Sequence, residues 1–191
     1  MDDSQSTDEI GGKDRQFLLE LARATIAARL TDRPLPCPSP ESAVLLEPRG
    51  AFVTLKISRG LRGCIGHVVG VAPLWRSVRD NALAAAFDDP RFPELTLDEL
   101  PHVRIEISAL TPLRPSAVED VVVGRHGILV ERGASRGLLL PQVAVELGWN
   151  LETFLDHTCR KAGLEPGCWR HPDTTISTFT AEVFAEKRLK V

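Results

Sequence analysis

The sequence predicts an α+β fold, and three observations carry that expectation. Apolar residues alternate at period two in several short stretches, the spacing of strands with one buried face. Other stretches repeat their apolar residues at helical spacing, with capping or stop residues at their ends. Hairpins and helices mix without the regular strand–helix–strand order of a doubly wound sheet.

Residues 1–12 are polar and end in Gly11-Gly12, which predicts a disordered tail. One domain, 13–191, follows. "DRQFLLELARATIAARL" reads as a helix, with Phe17, Leu18, Leu21, Thr25 and Ala28 at helical spacing and Asp14 as its cap. "TDRPLPCPSP" then breaks it, since four prolines in ten residues cannot continue a helix. "GAFVTLKIS" alternates Ala51, Val53, Leu55 and Ile57 against Phe52, Thr54, Lys56 and Ser58, and predicts a strand. Arg59-Gly60 turns it into a second strand, 61–67. "PLWRSVRDNALAAAF" is a helix opened by Pro73, with Leu74, Val78, Ala82 and Ala85 as its stripe. "TLDEL" has capping-box spacing, Thr96 to Glu99, and predicts one short turn. "HVRIEISAL" is a strand, "VVVGRHGILV" a hairpin around "GRHG", and "LPQVAVELGW" a helix. "NLETFLDHTCRKAG" is a helix with Asn150 as cap and Gly163 as stop. "TTISTFTAEVF" alternates as one strand.

A 191-residue chain with 43% hydrophobic and 26% charged residues can bury a core without disulfides or a structural metal. A formal charge of -3 gives no overall field for nucleic acid or anionic lipid, and three tryptophans without a tyrosine make a poor base-stacking platform. No apolar run approaches the ~18 residues of a membrane span. The acidic N-terminus lacks the features of a signal peptide, so a cytoplasmic protein with reduced thiols is expected. No Walker loop, Rossmann glycine pattern, H-E-x-x-H or radical-SAM cysteine trio is present, and no cofactor or metal is assigned.

The chemistry-bearing stretch is "LRGCIGH", residues 61–67. In an extended strand Arg62, Cys64 and Gly66 share one face, while Leu61, Gly63, Ile65 and His67 share the other. Arg62 and Cys64 then stand roughly 7 Å apart along the backbone, and a guanidinium near a thiol raises its thiolate fraction. Gly63 and Gly66 leave room for a ligand or another backbone. The alternative is a buried, inert thiol in a tightly packed strand. His67 serves as base for Cys64 only if a bulge at Gly66 reverses the alternation. His126, at the glycine-flanked tip of "GRHG", is the other candidate proton carrier. Asp89 and Arg91 of "FDDPRF" are candidate ligand-binding residues, against a reading as helix termination with a local ion pair. Glu106 and Ser108 lie on the polar side of their strand. His157, Cys159, Cys168 and His171 superficially suggest zinc. However, His157 and Cys159 lie about 200° apart on a helix, which favours a buried Cys159 and an exposed His157.

"GAFVTLK", "LRGCIGH", "NALAAAFDDPRF", "IEISAL", "VGRHGILV", "GLLLPQVAVELGW" and "FLDHTCRKAGL" occur in that order, from about residue 15 to 187. Together they resemble an AMMECR-type domain, whose bacterial and archaeal form is called AmmeMemoRadiSam system protein A. The resemblance implies helices around a mainly antiparallel sheet, with a smaller second lobe inserted. It also implies a Memo-like protein and a radical-SAM protein as partners. It supplies no reaction. Two functions stay open: a cysteine-dependent enzyme or accessory subunit acting on an unidentified small molecule, and a non-catalytic adaptor with "LRGCIGH" as a contact element.

Overall fold

A computed structural model of the chain describes residues 9–187. It is α+β and divides into two compact units, one formed, among the described residues, by 9–110 and 182–187, the other by Thr111–Ala181. The second unit is therefore an insertion in the first.

The first unit contains helix α1 (Gly12–Leu30), a short helical turn α2 (Ala43–Leu46), strands β1 (Ala51–Ile57) and β2 (Gly60–His67), and helix α3 (Leu74–Leu83). A π-helical turn, Ala84–Asp88, extends α3. Strand β3 (Val103–Leu110) follows, and β8 (Ala181–Ala185) completes a sheet of order β2-β1-β3-β8. β1 pairs antiparallel with both β2 and β3. Ala51, Val53 and Leu55 join Val103, Ile105 and Ile107 in a core with Leu18, Ala22 and Ile26 of α1 and Val78 and Ala82 of α3. Each large aliphatic side chain removed from water there stabilises by about 1.5–3 kcal/mol.

The alternate residues occupy the other face. Phe52, Thr54 and Lys56 are half-buried, in register with Gly66, Cys64 and Leu61 of β2 and with Ser108, Glu106 and Arg104 of β3. The hairpin turn is Ser58-Arg59, one residue earlier than expected, with Ser58 in the left-handed region at φ 58°.

The expected tail is too long. Residues 1–8 lie outside the described residues, but Ile10 is 1% exposed in the core and α1 already begins at Gly12. Gly11 occupies the cap position, while Asp14 lies in the first turn and accepts a 2.8 Å hydrogen bond from Ser42 Oγ. The two glycines mark a helix start and not the end of order.

The inserted unit holds β4 (Arg114–Pro115), β5 (Gly127–Arg132), β6 (Ser135–Leu139), α4 (Pro141–Glu146), α5 (Leu151–Lys161) and β7 (Thr175–Phe179). Its sheet has the order β4-β7-β5-β6. Ile128, Val130 and Ile176 pack with Phe154, Leu155 and Cys159 of α5. The Asn150 cap holds as read, accepting from the Thr153 N–H at 2.8 Å, and Gly163 ends the helix at φ 73°. The hairpin is not around "GRHG": Val121–Val123 form no strand, and β5 turns instead at Gly133 into β6. The expected single strand at 174–184 is two strands in two sheets. The break falls at Thr180, whose carbonyl accepts from the Thr111 N–H while its own N–H donates to Thr111 Oγ1, both at 2.9 Å. Those bonds tie the two ends of the insertion together. Among the described residues no helix is long and apolar enough to cross a membrane.

Candidate functional site

The β1–β2 register decides which residues of "LRGCIGH" meet. Ile57 pairs with Gly60 and Lys56 with Leu61, but Leu55 pairs with Gly63 and Thr54 with Cys64. Arg62 is therefore the extra residue of a bulge, and a bulge resets the alternation on either side of it. Beyond it the alternation runs unbroken to His67, which pairs with Ala51.

This corrects the role expected for Arg62. Its side chain is not the cation of the thiol. It is 9% exposed and grips the loop beyond the π-turn. Nε and Nη2 donate to the two Glu99 carboxylate oxygens at 2.7 and 2.9 Å, and Nη1 and Nη2 donate to the Pro93 and Glu94 carbonyls at 2.9 and 3.2 Å. The Arg62 guanidinium holds the Glu99 carboxyl down to about 2, and the Thr96 N–H adds to the effect. That same N–H, donating to Glu99 at 2.9 Å, is half of the capping box expected from the spacing.

The groups that meet at Cys64 come from the edge. β2 ends its sheet, so the outward N–H and C=O of Cys64 face away from β1. The N–H donates to Asp89 Oδ2 at 2.8 Å, and the carbonyl accepts from Arg91 Nη2 at 3.1 Å. Asp89 and Arg91 are themselves joined, Nε to Oδ1 at 2.9 Å and Nη2 to Oδ2 at 2.7 Å. The carboxylate is 2% exposed and the guanidinium side chain 54% exposed. Arg91 first, then the Cys64 N–H, holds the Asp89 carboxyl well below the usual carboxylate range. Asp89 in turn raises the Arg91 guanidinium, and the nearby Cys64 adds to that. Asp89 and Arg91 thus belong with Cys64, as an ion pair that closes the strand edge.

Because the Cys64 backbone groups point outward, its pairing with Thr54 is of the type that brings side chains closest. Cys64 Sγ lies 3.2 Å from Thr54 Oγ1. Cys64 is a free, half-buried thiol, while Cys37 is free and exposed. Glu106 continues the cross-strand row beyond Thr54 and binds Lys56 Nζ at 2.9 and 3.0 Å.

The two glycines of the motif pack against the protein itself. A Cβ at Gly63 would lie 2.0 Å from the Ala85 carbonyl oxygen, so the π-turn sits directly on the strand there. A Cβ at Gly66 would lie 2.4 Å from both the Ala51 carbonyl oxygen and the Phe52 ring. Of the two uses expected for that space, a ligand or another backbone, the structure puts backbone atoms at both positions.

The condition set for His67 is not met. No bulge lies at Gly66, so His67 faces away from Cys64. Its Nδ1 meets Asn81 Oδ1 at 3.1 Å, and Asn81 Nδ2 donates to the Ala51 carbonyl at 2.9 Å. His126 belongs to the inserted unit, where its Nδ1 accepts from the Val122 N–H at 3.1 Å and closes a turn. The residues the sequence did not single out are Thr54 and Lys56. Counted back from the turn, an unbulged register would have set Thr54 opposite Gly63.

In the inserted unit, Cys159 and Cys168 form a disulfide with Cα atoms 6.0 Å apart. This corrects the expectation of reduced thiols, and it removes both sulfurs as zinc ligands. His157 stacks on Trp149 with ring centroids 4.0 Å apart.

The AMMECR1 family model matches residues 19–184. The chain is 44% identical to protein PF1979 of Pyrococcus furiosus, over 90% of this chain and 88% of that one. It is 40% identical to protein NEQ441 of Nanoarchaeum equitans, over 88% and 98%. A crystal structure of the uncharacterized protein PH0010 from Pyrococcus horikoshii superposes with a TM-score of 0.75 at 40% identity, covering 93% of this chain and 94% of that one. With the family model, these relatives and the matching crystal structure in agreement, the chain belongs to the AMMECR1 family.

Proposed function

We propose that the chain is a thiol-dependent enzyme acting on a small molecule, or the accessory subunit of one, with Cys64 as its reactive group. One observation carries this. Arg62 clamps a loop, Gly63 and Gly66 receive the protein's own atoms, and His67 binds Asn81, which leaves Cys64 as the polar side chain of the motif not taken up by architecture. Its thiol is half-buried beside the Thr54 hydroxyl, and its backbone is fixed on both sides by Asp89 and Arg91. A thiol so held suits group transfer. Sγ attacks the carbonyl carbon of an acyl donor and the leaving group departs with the thiol proton; an acceptor nucleophile then attacks the thioester, the C–S bond breaks, and the acceptor's proton returns to Sγ to regenerate the thiol. As an accessory subunit, the chain works with a Memo-like protein and a radical-SAM protein in the cytoplasm, and any iron–sulfur cluster belongs to the latter.

The test is alkylation with iodoacetamide across a pH series, read by mass spectrometry of the Cys64 and Cys37 peptides. Cys64 is expected to react faster than Cys37 near neutral pH, although Cys37 is the more exposed. A second reading, the non-catalytic adaptor, is favoured by how much of "LRGCIGH" is structural. If Cys64 stays unlabelled until the chain unfolds, the thiol reading fails and the adaptor takes its place. Co-purification with the two partners, followed by a search for a bound small molecule, tests the accessory form.

A further inference from the structure

With His67 on the opposite face of the strand, the groups around Cys64 in its own unit are the ones to weigh. Those facing it are few. From the edge come Arg91 and the Asp89 carboxylate paired with it. On the same sheet face stand Thr54 of β1, Lys56 two residues further along β1, and Glu106 and Arg104 of β3. Lys56 is engaged with Glu106. Asp89 accepts two bonds from the Arg91 side chain, and Cys64 adds to the raising of that guanidinium. Thr54 Oγ1 lies 3.2 Å from Sγ, and the Arg91 guanidinium is the other side chain that bears on the sulfur.

A hydroxyl is both donor and acceptor, and its proton rotates to suit its neighbour. Beside a neutral thiol, Thr54 Oγ1 can accept the weak S–H. Beside a thiolate, which carries no proton, it can only donate. A donor that strengthens on ionisation favours the charged form and lowers the pH at which the thiol ionises. We infer that Thr54 is a positioning and activating residue of the Cys64 centre, its hydroxyl donating to the thiolate sulfur and fixing the direction in which the sulfur attacks. This rests on the reading of Cys64 as a reactive thiol.

The experiment compares the parent chain with Thr54→Val, which keeps the branched shape and loses the hydroxyl, and Thr54→Ser, which keeps the hydroxyl. Iodoacetamide alkylation of Cys64 is followed by peptide mass spectrometry from pH 5 to 10, with Cys37 as internal control. Thr54→Val is expected to raise the pH midpoint at Cys64 by about half to one unit, a roughly three- to tenfold slower reaction below the midpoint. Thr54→Ser is expected to restore the parent midpoint, and Cys37 to be unchanged in both. A merely structural role for Thr54 would lower the melting temperature without moving the midpoint. An unmoved midpoint in Thr54→Val, with Cys64 still titrating, overturns the inference and leaves the thiol reading standing. The same holds if Thr54→Ser behaves like Thr54→Val. Failure of Cys64 to react in the native parent chain defeats the thiol reading itself, and this inference with it. Should Thr54→Val fold poorly, Thr54→Ala supplies the hydroxyl-free comparison.

Discussion

Replacing Arg62 with methionine separates the architectural role of the motif from its chemistry. The substitution keeps most of the apolar stem and removes a guanidinium that makes four hydrogen bonds at 2.7–3.2 Å. Two of them go to the Glu99 carboxylate, and charge-assisted bonds contribute about 1.5–3 kcal/mol each when sequestered. That value must be discounted here, because the Glu99 side chain is 31% exposed and regains water once abandoned. Pro93 and Glu94 are exposed, so their carbonyls regain water too. The net loss expected is about 2–3 kcal/mol, between that of a surface pair and that of a broken buried pair. In a chain of this size that lowers the melting temperature by roughly 4–12 °C. The pH dependence has a definite sign. Glu99 sits at about 2 in the folded chain, below the 4.5 of the free side chain. Its contribution is complete above about pH 4.5 and is lost as the pH falls towards 2. The difference between parent and Arg62→Met should shrink over that same window. Thermal and urea melts by circular dichroism from pH 2 to 7 measure it. A loss under about 0.5 kcal/mol at pH 7, or a difference that persists unchanged at pH 2, would refute the clamp. Alkylation in the same variant supplies the chemical half. Arg62→Met should leave the pH midpoint of Cys64 in place, and a rise comparable to that expected for Thr54→Val would return Arg62 to the thiol.

Gly63→Ala should be costly, about 2 kcal/mol or more, because the new methyl meets the Ala85 carbonyl oxygen and not a side chain that can swing away; an urea melt superimposable on that of the parent would show that the π-turn yields freely. Reducing the Cys159–Cys168 disulfide, which closes a loop with a sequence separation of 9, should destabilise the inserted unit by about 2–3 kcal/mol. Melting with and without a phosphine reductant, with mass spectrometry to confirm reduction, checks this, and identical curves for the two states count against a stabilising role.

The sequence by itself determined the elements whose signals are local. The stripe of α3, the alternation of β1 and β3, and the Asn150 cap of α5 all follow from side chains within one turn or one strand, where periodicity and capping act directly. The family was legible too, because "LRGCIGH" and its companion stretches lie along one chain. Asp89 and Arg91 could be proposed as a pair from their spacing, but not their attachment to Cys64, since that depends on β2 lying at a sheet edge. Only the tertiary structure decided the role of each residue in the motif. One extra residue at Arg62 turned that side chain away from the thiol and moved the partner of Thr54 from Gly63 to Cys64. Register has a period of two, so one inserted residue exchanges every neighbour across the strand, and nothing in the local sequence marks which residue bulges. The division of 174–184 between two sheets also depends on contacts between distant parts of the chain, which packing fixes and local propensity does not.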